Sequence, residues 1–173
     1  MTIEFIEQKP TEWKGASILI SGPSSVEFKG KQFLVSSDNG KIINLYEVRF
    51  EYACSPFKHA EIINGILAVG HQEHFYLFDL SKNLNVLSLK MFGYFGHLYP
   101  DKDLLYVADA GGIYCLTTSG GIVWENLNLG IDGVIITRFE NKKIYGSGEW
   151  DPPGGWREFI LEKQTGLLIE ESQ

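Results

Sequence analysis

Cysteine, methionine, alanine and basic residues are all scarce in this chain of 173 residues. It contains two Cys, two Met and six Ala. Lys and Arg number 15 against 22 Asp and Glu, so the formal net charge is −7. This charge argues against a nucleic-acid binder, because such a protein needs a basic surface to neutralise phosphates. No run of eighteen uncharged apolar residues occurs, so neither a transmembrane helix nor a membrane partner is expected.

The N-terminal segment, MTIEFIEQKPTEW, has neither the basic region nor the apolar stretch of a signal peptide. The two cysteines, Cys54 and Cys115, lie far apart in apolar segments and have no metal-ligand spacing. We interpret them as buried free thiols in a reducing compartment. Together these features predict a cytoplasmic protein.

Strand-forming residues are abundant. Ile, Val, Thr and the aromatic residues make up 54 of the 173 positions, and there are 19 Gly. Side chains that are β-branched or aromatic pack well on pleated surfaces and lose rotamer freedom in helices. The composition therefore predicts an all-β domain with many tight turns.

An internal repeat organises these strands. Short apolar segments begin at Phe33, Leu67, Leu105 and Ile144, at spacings of 34, 38 and 39 residues. Each is followed by a turn and a second strand, and each is flanked by two further strand-like segments. The pattern predicts strands, for example, at 24–30 and 50–55 in the first repeat and at 167–172 in the last. Four strands in about 40 residues are typical of a β-propeller blade.

The repeats predict one small β-propeller-like domain of four to five blades, each with four antiparallel strands. The predicted blades cover residues 22–56, 57–93, 94–130 and 131–173. Residues 1–21 hold a further strand pair, which is expected either to start another blade or to close the ring against the last one. A plain β-sandwich is the alternative architecture.

One segment carries a family resemblance. Residues 111–124, GGIYCLTTSGGIVW, resemble the quinoprotein-type (PQQ-like) propeller repeat, which belongs with WD repeats among blade motifs and runs G-x-[IV]-Y-A-L-D-x-x-T-G-x-x-x-W. The resemblance implies that Trp124 packs between neighbouring blades. Quinoprotein dehydrogenases also carry a vicinal cysteine pair and a calcium site, which this sequence lacks. The resemblance therefore implies the fold and neither the cofactor nor the oxidoreductase activity.

Blade geometry predicts which loops share a face. In a propeller, the loops between the second and third strands of each blade lie on the same face as the loops that join successive blades. All four histidines, His59, His71, His74 and His97, fall on or beside this predicted face, together with carboxylates and aromatic residues. The predicted binding residues are Glu73, Tyr94, Phe95, Asp109, Glu149, Trp150, Asp151 and Trp156.

Three interpretations of this face remain open. Large, rigid aromatic rings are common anchors in protein interfaces, which favours a protein-binding surface. His71 and His74 are metal-ligand types, but a hairpin does not place them as the helical H-E-x-x-H motif would. The third interpretation is structural, with Trp150 and Trp156 covering a blade edge.

The sequence thus predicts a non-catalytic protein-binding module without a cofactor, monomeric or homodimeric. Its acidic charge indicates a basic protein partner, because complementary charge speeds association. A specific form of this hypothesis is an immunity or inhibitor protein that neutralises a basic toxin or nuclease. The alternatives are a metal-dependent enzyme that uses loop histidines, and a propeller that binds a carbohydrate or another small ligand.

Overall fold

The structure is a computed structural model that describes residues 1–150 and 154–169. Its strands form four sheets in two compact units, Met1–Leu89 and Lys90–Gln173. One short 3-10 helix, Pro23–Ser25, occurs in the described residues. No helix in those residues has the length and apolar character needed to cross a membrane.

The first unit holds two four-stranded sheets. The first sheet has the order β1-β3-β4-β2, formed by β1 (Thr2–Ile6), β2 (Ile18–Leu19), β3 (Gly30–Asp38) and β4 (Lys41–Phe50). The second runs in chain order through β5 (Lys58–Ile63), β6 (Ile66–His71), β7 (His74–Asp79) and β8 (Leu84–Lys90). Strands β1, β3 and β4 pair antiparallel, as do β5, β6 and β7, whereas β2 pairs with β4 in parallel.

Turn residues explain the hairpins of this unit. Asn39-Gly40 joins β3 to β4 and Asn64-Gly65 joins β5 to β6, and all four residues have φ between 48° and 80°. A two-residue turn with positive φ at both positions matches the twist of the flanking strands, and Asn-Gly adopts it at little cost. Each turn is followed by a buried segment. These segments contribute to a core of Ile20, Leu34, Tyr46, Val48, Leu67, Val69, Tyr76 and Phe78.

The second unit holds the third and fourth sheets. The third runs through β9 (Phe95–Asp101), β10 (Leu104–Asp109), β11 (Ile113–Thr117) and β12 (Ile122–Asn126). The fourth runs through β13 (Val134–Glu140), β14 (Lys143–Trp150) and β15 (Gly155–Glu162). Their shared core contains Tyr106, Ala108, Ile113, Cys115, Trp124, Leu129, Val134, Ile136, Ile144, Phe159 and Leu161.

The strands predicted in the second and third repeats coincide with β5–β8 and β9–β12, whereas in the first repeat only the two central strands, β3 and β4, lie where they were predicted. Residues 24–30 were expected to form a strand, but Pro23–Ser25 is a 3-10 helix in which the Ser25 hydroxyl donates to the Gly22 carbonyl. Residues 51–55, expected as the end of the last strand, lie outside any strand. The outer strands of this sheet come instead from residues 2–6 and 18–19. They therefore pair within the first sheet, whereas the sequence placed them in another blade or against the last one.

Two further predictions, on the last strand and on the burial of the cysteines, differ in part from the structure. The fourth strand expected at 167–172 starts as an isolated bridge between Leu161 and Leu168, and Ile169 N–H donates to the Ile160 carbonyl; residues 170–172 lie outside the described part. Cys115 is buried as predicted, but Cys54 is exposed. The reason is that Cys54 lies in the connection after β4 and not in a core strand.

Candidate functional site

Three loops of the second unit and the end of strand β14 meet at one end of the third and fourth sheets. They span residues 91–94, 109–112, 127–133 and 148–150, and we call the surface they form with Trp156 the loop surface. Backbone hydrogen bonds join the loops in series. Ala110 N–H donates to the Tyr94 carbonyl at 3.1 Å, Gly133 N–H donates to the Ala110 carbonyl at 2.9 Å, and Glu149 N–H donates to the Gly133 carbonyl at 2.8 Å. The loops therefore form one hydrogen-bonded framework.

Asp109 holds the centre of this framework. Its side chain is fully buried at the end of β10. One carboxylate oxygen accepts the N–H groups of Gly111 and Gly112 at 2.8 and 2.7 Å. The other accepts those of Phe92 and Gly93 at 3.0 and 3.3 Å. A buried carboxylate is tolerated when its oxygens are satisfied in this way. Its role here is structural, and its burial does not suit the partner contact that the sequence predicted.

Glycine allows these loops to approach each other closely. A Cβ at Gly148 would lie 1.7 Å from the Leu129 carbonyl oxygen, and a Cβ at Gly112 would lie 2.1 Å from the Asn126 carbonyl oxygen. Neither position has room for a side chain, because the obstructing atoms belong to the backbone.

Aromatic and aliphatic side chains are exposed on the loop surface. Phe92 is 69% exposed, and Ile131 and Trp156 are each 51% exposed. Phe92 lies beside Gly111, and Trp156 lies beside Gly133. Large apolar side chains that remain exposed on a rigid framework are typical of interaction sites.

Two carboxylates accompany these rings. The Tyr94 hydroxyl donates to the Asp132 carbonyl oxygen and lies 3.1 Å from its Oδ1. Burial and the hydrogen bond to Asp132 raise the pKa of Tyr94 to about 12, so the phenol stays neutral at physiological pH. A Cβ at Gly133 would lie 3.4 Å from the Trp156 ring and 3.9 Å from Glu149 Oε2, so both groups border the same small space. Neither Asp132 nor Glu149 has a cationic partner within residues 1–150 and 154–169.

The loop surface brings together five of the predicted binding residues, namely Tyr94, Asp109, Glu149, Trp150 and Trp156, of which Asp109 is buried beneath it. Phe95 follows Tyr94 but is completely buried as the first residue of β9. Trp150 is half-buried, and the Arg157 guanidinium lies 5.5 Å from its ring centroid. Asp151 lies outside the described residues.

Glu73 belongs to the first unit, in the turn between β6 and β7. Its carboxylate accepts a hydrogen bond from the Tyr52 hydroxyl at 2.5 Å. This bond raises the pKa of Tyr52 to about 12. Next to it, Gln72 Oε1 accepts the backbone N–H groups of Cys54 and Ser55 at 2.7 and 3.0 Å. These hydrogen bonds hold the connection after β4 against the turn between β6 and β7.

The histidine pair considered for a metal faces aromatic rings. His71 is 3% exposed, with its ring 5.9 Å from Phe5 and 4.9 Å from Phe50 between centroids. Burial lowers the pKa of His71 to about 4. His74 pairs with His71 across β6 and β7 and stacks on Tyr76 at 5.6 Å. In the described part of the chain, no group of three or more His, Cys, Asp or Glu side chains could hold a metal ion.

Sequence reasoning did not select Ile131 and Asp132 as binding residues. A signal was available, because both lie in the connection between the predicted third and fourth blades, which belongs to the same predicted face. Asp132 gains its importance from the bond with Tyr94, 38 positions earlier in the chain, and a contact at that separation cannot be inferred from local pattern.

Comparisons with known proteins identify the fold. No family model matches the sequence, and no curated protein matches it. Among solved structures, the chain is similar to BamB from Moraxella catarrhalis, a β-propeller of PQQ-like repeats, with a TM-score of 0.54 and 12% identity. The match covers 80% of this chain and 42% of that one, so this chain spans less than half the length of BamB.

A second match, to the CNH domain of AfRom2, has a TM-score of 0.38 and 8% identity, and it covers 59% of this chain and 32% of that one. It is too weak to carry an argument. The similarity to BamB and the four sheets confirm the all-β, β-propeller-like fold.

Proposed function

We propose that this chain is a non-catalytic protein-binding module, and that its loop surface binds a basic protein. The observation that carries this proposal is the pairing of uncompensated acidic groups with exposed apolar side chains. Asp132 and Glu149 have no cationic partner in the described part of the chain. Trp156, Ile131 and Phe92 belong to the same loop surface, and half or more of the surface of each is exposed.

This arrangement suits a protein partner for two physical reasons. The framework is already ordered by backbone hydrogen bonds and by Asp109, so binding would cost little additional ordering of the loops. Exposed rings supply area to bury, and the carboxylates select cationic side chains of the partner. The net charge of −7 would attract a basic partner over a longer range.

The specific form of the proposal is an immunity or inhibitor protein. In this hypothesis the loop surface covers the cationic active cleft of a toxin, for example a nuclease, and blocks its substrate. The overall acidity and the acidic, aromatic loop surface support this hypothesis. It requires binding alone and no chemistry by this chain.

Site-specific photo-crosslinking in the host cell tests the binding surface. A photoreactive phenylalanine analogue replaces Phe92 or Trp156, and a matched control carries it at Leu84, which is 54% exposed in the first unit. We expect one discrete protein adduct from the first two positions and none of that mass from Leu84. The adduct should weaken in an Asp132→Asn, Glu149→Gln variant. Identical adducts from all three positions would contradict the assigned surface.

The inhibitor hypothesis is tested on the crosslinked protein after purification. We expect a basic protein whose activity falls stoichiometrically as this chain is added, with weaker inhibition at high salt because charge complementarity is screened. An acidic partner, or a basic partner that stays fully active in the complex, would reject the inhibitor role. The second result would leave protein binding standing.

A further inference from the structure

An apolar groove of about 280 Å³ lies in the second unit, and no part of the proposed function uses it. It is lined by Leu104, Val123, Lys142, Lys163 and Gln164. Leu104 begins β10, whereas Asp109 and the loop surface are at the other end of that strand. Likewise Lys142 precedes β14, and Glu149 lies near its far end. The groove is therefore at the opposite end of these strands from the loop surface.

Backbone contacts hold the two lysines at the groove. Lys142 occupies the turn between β13 and β14 with a φ of 65°. Its carbonyl accepts the N–H of Lys163 at 2.8 Å. The Lys163 carbonyl in turn accepts the indole N–H of Trp124 at 3.0 Å. These bonds fix the backbone at Lys142 and Lys163. The Cα atoms of both lysines therefore have defined positions, from which the side chains extend beside Leu104 and Val123.

The two lysines differ in whether their ammonium group has an ion-pair partner. The Lys163 ammonium is paired with the carboxylate of Asp101 and lies 5.1 Å from the centroid of the Phe139 ring. Lys142 has no ion pair within the ranges that the structure describes. The groove therefore combines apolar lining with a single uncompensated positive charge.

The apolar surface at this groove is open to solvent. Val123 is 49% exposed on the outer strand β12, and Leu104 is partly buried. Lysine stems add further apolar wall, because a long side chain can cover apolar surface while its ammonium stays in water. The volume is near the lower end of the range for small-molecule sites, so the groove suits a small ligand.

We propose that this groove binds a monoanionic amphiphile, namely a fatty carboxylate of short or medium chain length. The acyl chain would cover Leu104 and Val123, and the carboxylate would pair with the Lys142 ammonium. Each methylene removed from water makes binding more favourable, so affinity should increase with chain length. The single uncompensated charge favours a monoanion, because the Asp101 carboxylate beside Lys163 repels a second negative charge.

Titration with octanoate, followed by NMR of backbone amides, tests the proposal. We expect saturable shifts at Leu104, Val123 and Lys142, with binding at least tenfold weaker for butanoate. A Lys142→Gln variant should bind octanoate three- to tenfold more weakly. The matched control is Lys41→Gln, at the exposed first residue of β4 in the first unit, and it should bind as the unmodified chain does. A Val123→Thr variant keeps the size of the side chain and should also weaken binding.

Other probes give the results that would overturn the proposal. Equal affinity for octanoate and octyltrimethylammonium would show that the charge of Lys142 does not select the ligand. An absence of groove shifts with octanoate would refute the site. A peptide with a C-terminal leucine that bound at least tenfold more tightly than octanoate would assign the groove to a protein terminus. A Trp156→Ala variant separates the two proposals, because it should weaken partner binding and leave octanoate binding unchanged.

Discussion

Gly166 lies against the indole of Trp124 so closely that a Cβ on Gly166 would be 2.3 Å from Trp124 Cε3. The indole N–H donates to the Lys163 carbonyl at 3.0 Å, and the Asn126 amide donates to the Gly166 carbonyl at 2.8 Å. These contacts join β12, the outer strand of the third sheet, to the turn that follows β15 in the fourth sheet. They place a tryptophan between neighbouring sheets, as the resemblance to PQQ-like repeats implied.

Gly166→Ala should therefore destabilise the protein. Two costs add at this position, since the φ of 68° disfavours any residue with a Cβ and the new methyl group overlaps the indole. Positive φ costs about 1 kcal/mol, and overpacking costs roughly 1–3 kcal/mol. We expect the free energy of unfolding, measured by urea denaturation, to fall by about 2–4 kcal/mol.

Gly65→Ala is the control for this substitution. Gly65 has a similar φ of 80°, but a Cβ there would meet no atom within 4 Å. It should lose only the backbone contribution of about 1 kcal/mol. Equal losses in the two variants would mean that the contact between Trp124 and Gly166 contributes nothing beyond backbone conformation.

Asp109→Ala should disrupt the loop framework. The substitution leaves the N–H groups of Gly93, Gly111 and Gly112 without their acceptor, and the Phe92 N–H keeps only its bond to the Tyr114 hydroxyl. An unsatisfied buried polar group costs about 1–3 kcal/mol. We expect a loss of at least 3 kcal/mol in unfolding free energy and faster hydrogen exchange at the amides of Gly111 and Gly112.

Asp38→Ala provides the comparison, because Asp38 lies in the corresponding turn of the first repeat but is exposed. It should change stability by less than about 0.5 kcal/mol, as surface substitutions usually do. Similar losses at the two positions would show that the hydrogen bonds to the buried carboxylate do not stabilise the loops.

The repeat could be predicted from sequence where its strands are consecutive. The third sheet follows chain order from β9 to β12, so local alternation and glycine turns were enough to place it. The prediction of the first sheet was wrong in its outer strands, because these strands do not come from the segments that flank β3 and β4 in the repeat. Residues Thr2–Ile6 pair with Phe33–Ser37 across an intervening segment that contains β2 and the 3-10 helix, and no local pattern reports such a pairing.

The candidate site was predicted less well than the fold. Phe95 and Trp156 looked equivalent as aromatic anchors, yet one is fully buried and the other is half exposed. Side chains along a strand alternate between the two faces of the sheet, so a change of one residue in the strand register decides which ring is buried. Asp109 was misjudged for another reason, because a turn carboxylate that accepts four backbone N–H groups cannot be distinguished by sequence from one that faces solvent.

The stability of the protein should fall as the pH drops from about 6.5 to about 4 because of His71. Burial between Phe5 and Phe50 is the main cause that lowers the pKa of His71 to about 4. Since this pKa lies below that of the unfolded chain, the unfolded state binds the proton first. Above pH 6.5, the neutral imidazole makes its full contribution to the free energy of unfolding. As the pH falls towards 4, protonation of the unfolded chain removes this contribution, which amounts to about 3 kcal/mol.

Denaturation at pH 7.5 and at pH 4.5 measures this contribution. A His71→Phe variant keeps a ring among the aromatic neighbours but does not titrate, so it should lose about 2 kcal/mol less between the two pH values than the unmodified protein. A His59→Gln variant changes an exposed histidine and should keep the original pH dependence. If His71→Phe also keeps that dependence, the acid sensitivity comes from other groups.

Trp156→Ala and Phe95→Ala should separate binding from stability. Trp156 is 51% exposed on the loop surface, so its removal should change the unfolding free energy by less than about 1 kcal/mol. Phe95 is completely buried, and its truncation leaves a cavity that should cost about 3–5 kcal/mol. The two variants are compared by urea denaturation and by crosslinking from Phe92. We expect the Trp156 variant to remain folded and lose the protein adduct, because the exposed ring is part of the proposed contact. A Trp156 variant that unfolds like the Phe95 variant would show that this ring supports the sheet instead of binding a partner.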